Sequence, residues 1–311
     1  MTATPSETGY AVVAVDGSEE GDAAVAFAAD EALRRGLSLR LAHVMPSGIP
    51  VGPLETIAAD HALGAYASET LAGAARLVAD AAPGLEVTTH ALAGGRVTQI
   101  VELARHASVV VVGRRAARAL DRAWSGGTLD GVVSRAGCPV FVVPEPPDGE
   151  SRRPVVVAGF KSTAHSAELF EAAFRAADEL AVDLDVVHAW KLNGYYDDII
   201  IRRVSEARTN RDQKAVIWET IAPWQEAYPE VRVKVHVVHD HPVRALIEAA
   251  RGADRLVLVK PARGSAVHHL GRTARGVLRF ATCPIEVVPA RGRQELEMPP
   301  VVIEQEGRLV T

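Results

Sequence analysis

Three short stretches of the chain carry residues that could contact an anionic ligand. Asp16 follows the apolar run Tyr10–Val15, and its carboxylate could accept a hydrogen bond from a ribose hydroxyl or bind a divalent cation. Gly113 follows the valine-rich run 108–112, and Gly126-Gly127-Thr128 opens a later helical stretch. Glycines at a helix start let the backbone approach a phosphate, whose charge the free N–H groups and the helix dipole favour.

Each of these residues also has a simpler interpretation. Gly113 and the glycine pair can serve only to form tight turns, and an aspartate after a first strand is often a helix cap or a turn former. Their position in the fold therefore matters more than their identity. In doubly wound α/β sheets, ligands bind outside the carboxyl ends of the strands, at the point where the strand order reverses.

Apolar runs and helical patterns alternate along the first half of the chain. Such an alternation builds a parallel sheet that is covered by helices on both faces. The predicted strands lie at 10–15, 39–44, 86–92, 108–112 and 140–143, and the predicted helices at 23–35, 54–82, 97–106 and 128–136. Asp16, Gly113 and Gly126 then lie at strand ends or at the start of the following helix.

The second half of the chain repeats the first at an offset of about 145 residues. Residues 136–144, which contain Cys138-Pro139, match residues 281–289, which contain Cys283-Pro284, and His43 lies 145 residues before His188. A period this long in 311 residues indicates two copies of one domain. Strands are predicted again at 154–159, 183–189, 231–238, 255–259 and 285–288.

The predicted fold is therefore α/β, with two tandem doubly wound domains that each contain a five-stranded parallel sheet. The first domain is expected at residues 1–145 and the second at 153–290, with a Pro-rich linker between them. A charged C-terminal tail occupies 291–311. Each domain is long enough to bury its own core. Each copy would also shield an edge of the other and form an intramolecular pseudo-dimer, and a homodimer is a further expected assembly.

The composition argues against several classes of function. The net charge is −5, so the chain has no basic footprint for nucleic acid or for an anionic membrane. No uncharged apolar run reaches the roughly 18 residues that a spanning helix needs, and the N-terminus does not read as a signal peptide. The chain has two cysteines, at matching positions, which are expected to be small buried side chains. We therefore expect a protein of the reducing cytoplasm.

The arrangement resembles the universal stress protein family over about residues 9–145 and 153–290. The nucleotide-binding members of this family carry Gly-x2-Gly-x9-Gly-Ser/Thr between the fourth strand and the last helix. Gly113 and Gly126 fit the first and third glycines, whereas Ala116 and Gly127 replace the second glycine and the Ser/Thr, with Thr128 one step further on. The Val-Asp-Gly-Ser turn and the His-Val strand end, at 15–18 and 43–44, match as well.

The resemblance implies domains of the adenine nucleotide alpha hydrolase-like fold, with ATP, ADP or AMP bound in the first copy and Mg²⁺ as a candidate companion ion. Adenine and ribose would lie near Ala14, Val15, Asp16, Val44 and Val112. The phosphates would lie over Gly113, Ala116, Gly126, Gly127 and Thr128. The arginines at 114, 115 and 118 would either neutralise the phosphates or lie solvated in the loop.

The second copy departs from this pattern. In the stretch Val157–Ser162, Phe160 is assigned to the position of Asp16, where its ring would fill part of the pocket. Lys260 is assigned to the position of Gly113, so that the loop to Gly271 is two residues shorter than in the first copy, and Arg272 takes the Ser/Thr position. A basic set could bind an anion, namely Lys161, Lys260, Arg263 and Arg272. A degenerate copy kept for packing or for partner binding is the favoured interpretation.

Other candidate sites are weaker. The histidines at 236, 239 and 241 could hold zinc, although no cysteine is nearby and surface histidines explain them more simply. Ser18 and Ser125 lack the partners of a catalytic triad. The aromatic residues around the long helix of the second copy favour core or interface packing over a ligand groove. These residues are Trp190, Tyr195, Tyr196, Trp218, Trp224 and Tyr228.

The leading hypothesis is a stress-response regulatory protein that binds an adenine nucleotide in its first domain and thereby biases contacts with regulatory protein partners. The alternative, from another class, is a nucleotide-free structural or interaction module in which both pockets are degenerate. A slow ATPase ranks last, because neither a positioned general base nor a Walker lysine nor an acidic metal pair accompanies Asp16. The chain is therefore not expected to be an enzyme.

Overall fold

The computed structural model describes residues 9–46, 53–114, 125–145, 151–191, 206–260 and 270–291. In the first domain it contains β1 (Tyr10–Ala14), α1 (Glu19–Arg35), β2 (Ser38–Met45), α2 (Pro53–Ala81), β3 (Val87–Ala93), α3 (Arg96–Leu103), β4 (Val109–Arg114), α4 (Ser125–Arg135) and β5 (Val140–Pro144). The predicted strands and helices of the first copy are confirmed, with ends that differ by at most four residues. The tail beyond residue 291 lies outside the described residues.

The second domain repeats the order of the first. It contains β6 (Arg153–Gly159), α5 (Ser166–Leu180), β7 (Asp183–Trp190), α6 (Glu206–Ala227), β8 (Val233–His239), α7 (Pro242–Ala249), β9 (Ala253–Lys260), α8 (Arg272–Phe280) and β10 (Ile285–Pro289). The five strands predicted for this copy are confirmed.

Local sequence signals determine where α1 begins and ends. Ser18 is the N-cap, and its Oγ accepts a hydrogen bond from the N–H of Gly21 at 3.1 Å. Gly36 ends the helix with φ 62°, a left-handed conformation that glycine adopts without a Cβ penalty. The residues that follow β1 are therefore held in a fixed turn between the strand and the helix.

The strands form one sheet in the order β3-β2-β1-β4-β5-β10-β9-β6-β7-β8. Neighbouring strands are parallel within each domain, whereas β5 and β10 are antiparallel. The predicted doubly wound α/β fold is thus confirmed. We call the β5–β10 junction the seam. Each domain covers an inner edge of the other there, as expected for an intramolecular pseudo-dimer.

The apolar core continues across the seam. Val140 and Val142 of β5 belong to the same buried cluster as Ile285 and Val287 of β10. A separate cluster under α5 and α6 is rich in aromatic residues, and Phe174 stacks on Trp224 with ring centroids 6.4 Å apart. Trp218 and Tyr228 also pack against that cluster, so the packing interpretation is confirmed for these residues. Tyr195 and Tyr196 lie outside the described residues.

Charged side chains are buried at the seam as well. Glu31 and Glu286 are 0% exposed and Arg255 is 1% exposed. The guanidinium of Arg255 donates to Glu31 Oε2 at 2.9 Å and to Glu286 Oε2 at 3.0 Å. Arg35 pairs with both carboxylates, and Arg35 and Arg255 lie over the ring of Phe141. We call Glu31, Arg35, Arg255 and Glu286 the seam ion cluster.

The arginines of the seam ion cluster favour the charged form of Glu31. Burial alone would raise the pKa of Glu31, but Arg255, Arg35 and Arg34 outweigh that effect and hold this pKa below its ordinary value. Removing one partner from such a group leaves an uncompensated buried charge, which is strongly destabilising. Loss of any one of these four side chains is therefore expected to destabilise the contact between the two domains.

Candidate functional site

The strand order of the first domain reverses between β1 and β4. The chain passes from β1 to β2 on one side and from β4 to β5 on the other. Ala14 pairs with Ala42 of β2 and with Val112 of β4, so all three lie at the same edge of the sheet. The structure thereby brings six of the predicted residues to this carboxyl edge, which is where such sheets bind ligands. They are Ala14, Val15, Asp16, Val44, Val112 and Gly113.

Asp16 is exposed and helps to build the turn after β1. Its Oδ1 accepts hydrogen bonds from the backbone N–H of Ser18 at 3.1 Å and from Ser18 Oγ at 2.6 Å. Gly21 makes room for this carboxylate, because a Cβ there would lie 2.7 Å from Oδ1. Within the described part of the chain, Oδ2 accepts no hydrogen bond. Asp16 is thus a turn former with one carboxylate oxygen available to a ligand.

Two side chains that sequence reasoning did not assign to the site hold this turn in place. The Nδ1–H of buried His43 donates to the carbonyl of Val15 at 2.8 Å. Tyr66 of α2 donates its hydroxyl to the carbonyl of Asp16 at 3.3 Å, and its ring meets His43 edge-on. Gly17 has φ 77°, and a Cβ there would lie 3.0 Å from the Tyr66 hydroxyl. His43 was visible as part of the repeat, whereas Tyr66 carries no local sequence signal.

The first turn of α4 contains Gly126, Gly127 and Thr128. A Cβ on Gly127 would meet no atom of the described residues within 4 Å. In the middle of the helix, Gly131 packs so closely on α3 that a Cβ would lie 2.7 Å from Val97 Cγ2. The backbone N–H groups of this first turn have no partner within the helix itself, and the helix is held further along by the contact of Gly131 with Val97. Ala116, Arg115 and Arg118 lie outside the described residues.

Arg114 does not belong to a phosphate site. Its NH1 donates to the carbonyl of Leu278 in the second domain at 2.9 Å. Burial lowers its pKa, and the nearby Cys283 opposes that shift in part. The interpretation of Arg114 as a phosphate ligand is wrong, because the last residue of β4 faces the other domain.

Backbone hydrogen bonds show how the two copies correspond. The N–H of Val15 donates to the carbonyl of Ala42, and the N–H of Phe160 donates to that of Val187. His188 donates to the Phe160 carbonyl at 3.0 Å, as His43 does to that of Val15. Phe160 therefore corresponds to Val15. The predicted assignment of Phe160 to the position of Asp16 is therefore wrong by one residue.

The true counterpart of Asp16 is Lys161, which is also exposed. The site aspartate of the first domain is thus replaced by a residue of opposite charge. The Phe160 ring does not fill a ligand pocket, because it is buried in the core, stacked on Phe170 with centroids 5.8 Å apart. Burial lowers the pKa of His188 beside it, and hydrogen bonds to the Phe160 carbonyl and to Gln213 oppose that shift in part.

The assignment of Lys260 to the position of Gly113 is also wrong by one residue. Gly113 and Arg114 pair with Val143 and Pro144 of β5, just as Val259 and Lys260 pair with Val288 and Pro289 of β10. The counterpart of Gly113 is therefore Val259, and that of Arg114 is Lys260. The loop to Gly271 is then one residue shorter than in the first domain, rather than two.

Lys260 is not available to an anionic ligand. It is buried, and its ammonium donates to the carbonyls of Val133 and Ala136 at 2.5 and 2.7 Å. At the end of β6, a Cβ on Gly159 would lie 2.5 Å from Leu258 Cδ2, so Leu258 fills the space there. Arg263 lies outside the described residues. Among the described residues, the second domain therefore has Lys161 in place of the Asp16 carboxylate and a leucine packed over the end of its first strand.

The histidines of β8 are engaged with protein groups. His236 Nε2 lies 3.4 Å from Asp185 Oδ1, and His239 stacks on Trp190 with centroids 4.3 Å apart. In the described ranges, no group of three or more His, Cys, Asp or Glu residues is placed to hold a metal ion. Cys138 and Cys283 are both buried, as expected.

The architecture places the chain among proteins with doubly wound α/β domains, here two copies fused edge to edge. The model of the universal stress protein family matches residues 11–144 and 152–289. The chain therefore belongs to the universal stress protein family, as the resemblance predicted. Among the described residues, no helix combines the length and apolar character needed to cross a bilayer.

Relatives of the same length support this assignment. Universal stress protein Rv1996 of Mycobacterium tuberculosis is 30% identical over 321 residues, which cover 96% of this chain and all of the relative. Universal stress protein Rv2005c of the same organism is 29% identical over 291 residues, which cover 89% and 95%. A solved universal stress protein from Archaeoglobus fulgidus has a TM-score of 0.65 at 18% identity, covers 90% of this chain and 98% of its own, and shares the fold.

Proposed function

We propose that the first domain binds one adenine nucleotide and that its occupancy regulates contacts of the chain with other proteins in the cytoplasm. The observation that carries the proposal is the Asp16 carboxylate, which is exposed at the point of strand-order reversal with Oδ2 unengaged by the described residues. A carboxylate oxygen is a strong acceptor for a ribose hydroxyl.

The residues around Asp16 fit the remaining parts of such a ligand. Ala14, Val44 and Val112 place apolar side chains on one face of this edge, where the adenine ring would pack, whereas the Val15 side chain is buried in the core on the other face. The phosphates would lie over Gly113 and the first turn of α4, where Gly127 leaves the backbone open. ATP, ADP and AMP share these features. Mg²⁺ would accompany the phosphates of ATP, with Asp16 as the nearby carboxylate.

The second domain supports a stoichiometry of one nucleotide per chain. Lys161 stands where the ribose acceptor would be, and Leu258 fills the space over Gly159. We therefore propose that this domain serves the first as a scaffold. Relatives are named as universal stress proteins and not by a reaction, which agrees with a regulatory role.

Calorimetry on the full chain tests the proposal. ATP, ADP and AMP, with and without Mg²⁺, should bind at one site, and Asp16→Ala should weaken binding at least tenfold, about 1.4 kcal/mol. Lys161→Ala makes the corresponding change in the second domain and should leave affinity unchanged. If the wild-type chain released no heat up to millimolar ligand, the nucleotide-free interaction module would be the better description.

A further inference from the structure

Two basic side chains cross the seam and bind the ends of helices in the opposite domain. Lys260, the last residue of β9, donates to the carbonyls of Val133 and Ala136 at 2.5 and 2.7 Å. These carbonyls lie at the carboxyl end of α4, which ends at Arg135. The last four carbonyls of a helix lack partners within the helix, so Lys260 satisfies groups that would otherwise be unpaired in a buried place.

The contact is reciprocal. Arg114, the counterpart of Lys260 in the first domain, donates to the carbonyl of Leu278 in α8 at 2.9 Å. Leu278 lies 145 residues after Val133 and occupies the same place in its helix, since Gly131 and Gly276 pack in the same way against Val97 and Val243. In each domain, the basic residue that ends the fourth strand thus binds the last helix of the other domain. The shared geometry with different residue types indicates that anchoring is the retained property.

The two anchored helices differ in what their opposite ends present. The first turn of α4 contains Gly126, Gly127 and Thr128, the proposed phosphate-binding groups. The corresponding position of α8 begins with Arg272, in the domain that lacks the site aspartate. Lys260 therefore supports the helix that belongs to the candidate site.

Helix α4 can transmit a displacement from one end to the other. It has 11 residues, so its two ends are about 16 Å apart and rigidly connected. Gly131, in the middle of the helix, is in close contact with Val97. If α4 rotated about this contact, a shift of its last turn would also shift its first turn. A positive charge at the carboxyl end also complements the helix dipole. A change at the Lys260 contact is therefore expected to move the N–H groups at the start of α4.

We infer that Lys260 of the second domain is a positioning residue for the phosphate end of the nucleotide site in the first domain. The inference rests on the proposed function. It gives the second domain a role in ligand binding even though it carries no equivalent site. Lys260 acts through α4 and does not contact the ligand.

Calorimetric titrations of the full chain with ATP and with adenosine test this role. Lys260→Met keeps the length of the side chain and removes the donor, and it should lower ATP affinity about tenfold, because small misplacements of binding groups are costly. Adenosine lacks phosphates, so its affinity should change less than about twofold. Lys260→Arg keeps a hydrogen-bond donor at this position and should bind ATP about as tightly as wild type. Lys234→Met, in an exposed ion pair of the same domain, is the matched control and should behave as wild type.

Equal ATP affinities for wild type and Lys260→Met would overturn the inference, and so would an equal loss of ATP and adenosine binding, since that would indicate general damage. A wild-type chain that binds neither ligand would overturn the proposed function instead. Hydrogen exchange on the ligand-free chain separates these cases. Amides at the start of α4 should exchange faster in Lys260→Met, and unchanged exchange there would refute the anchoring. If that variant does not fold, Lys260→Gln replaces it and should show the same differences at smaller size.

Discussion

The first strands of the two domains end in the same backbone geometry, but the exposed residues that follow them carry opposite charges. After β1 the chain presents Asp16, and after β6 it presents Lys161 at the corresponding place. The turns before them are equivalent, because Val15 and Phe160 make the same backbone hydrogen bonds and each accepts one from a strand histidine. Backbone pairing and core packing have thus been retained while the solvent-facing residues have changed.

The difference shows that fold and site are separable in this chain. The close contacts of Gly131 with Val97 and of Gly276 with Val243 are the same in both domains, and they fix the last helix in each. The ligand end changes independently, through the charge at residue 161 and the leucine over Gly159. The second domain can therefore differ from the first at the proposed ligand end and still pack against it in the same way.

The largest effect is expected where the two domains meet. Arg255→Met should remove the more deeply buried of the two arginines that Glu31 and Glu286 share, and should lower the free energy of unfolding by roughly 3–5 kcal/mol. Urea unfolding followed by circular dichroism measures the change. Arg105→Met removes an exposed ion pair with Glu102 and should alter stability by less than about 1 kcal/mol. Similar values for the two variants would show that the seam ion cluster does not hold the halves together.

Acid should weaken the same junction. The pKa of Glu31 is lower in the folded chain than its ordinary value of 4.5. Its contribution to stability is therefore complete above that value and is lost as the pH falls through the lower folded-state pKa. Urea midpoints measured from pH 6 downwards should decline more steeply for wild type than for Glu31→Gln, which cannot titrate. Parallel declines would assign the acid sensitivity to other carboxylates.

The smallest effect concerns the support of Asp16. Tyr66→Phe removes the hydrogen bond to the Asp16 carbonyl and should weaken ATP binding by about 0.5–1 kcal/mol. Tyr10→Phe deletes a comparable bond, to the carbonyl of Leu103, and is the matched control with unchanged affinity. An equal response of both variants in calorimetry would remove Tyr66 from the description of the site.

Much of the fold could be predicted from the sequence because its signals are local. Each strand is a short apolar run, and Ser18 and Gly36 mark the ends of α1 by cap chemistry that involves only neighbouring residues. The repeat then allowed one domain to be assigned from the other. The carboxyl-edge residues followed from the topology alone, since parallel strands end at the same edge.

The predictions that failed concern residues whose roles depend on tertiary contacts. The residues after β1 and after β6 share no motif, so the sequence alone does not fix the alignment at Phe160, and the backbone hydrogen bonds of Val15 and Phe160 do. The sequence leaves an anion-binding role open for Lys260 and Arg114, because nothing in it shows that their partners are carbonyls in the other domain. Glu286, a single charge between Ile285 and Val287, was the one visible sign of a buried ion cluster.

The register of the seam affects how each domain could pair with a second copy of itself. Phe141 pairs with Glu286, and the two are counterparts in the repeat, 145 residues apart. Self-pairing of the first domain through β5 would place phenylalanine opposite phenylalanine, whereas self-pairing of the second through β10 would bring two carboxylates together in a dry interface. Symmetric self-association by this edge is thereby disfavoured for the second domain, whose Glu286 instead pairs with Arg35 of the first domain. The edge of the second domain thus suits the first domain better than a second copy of itself.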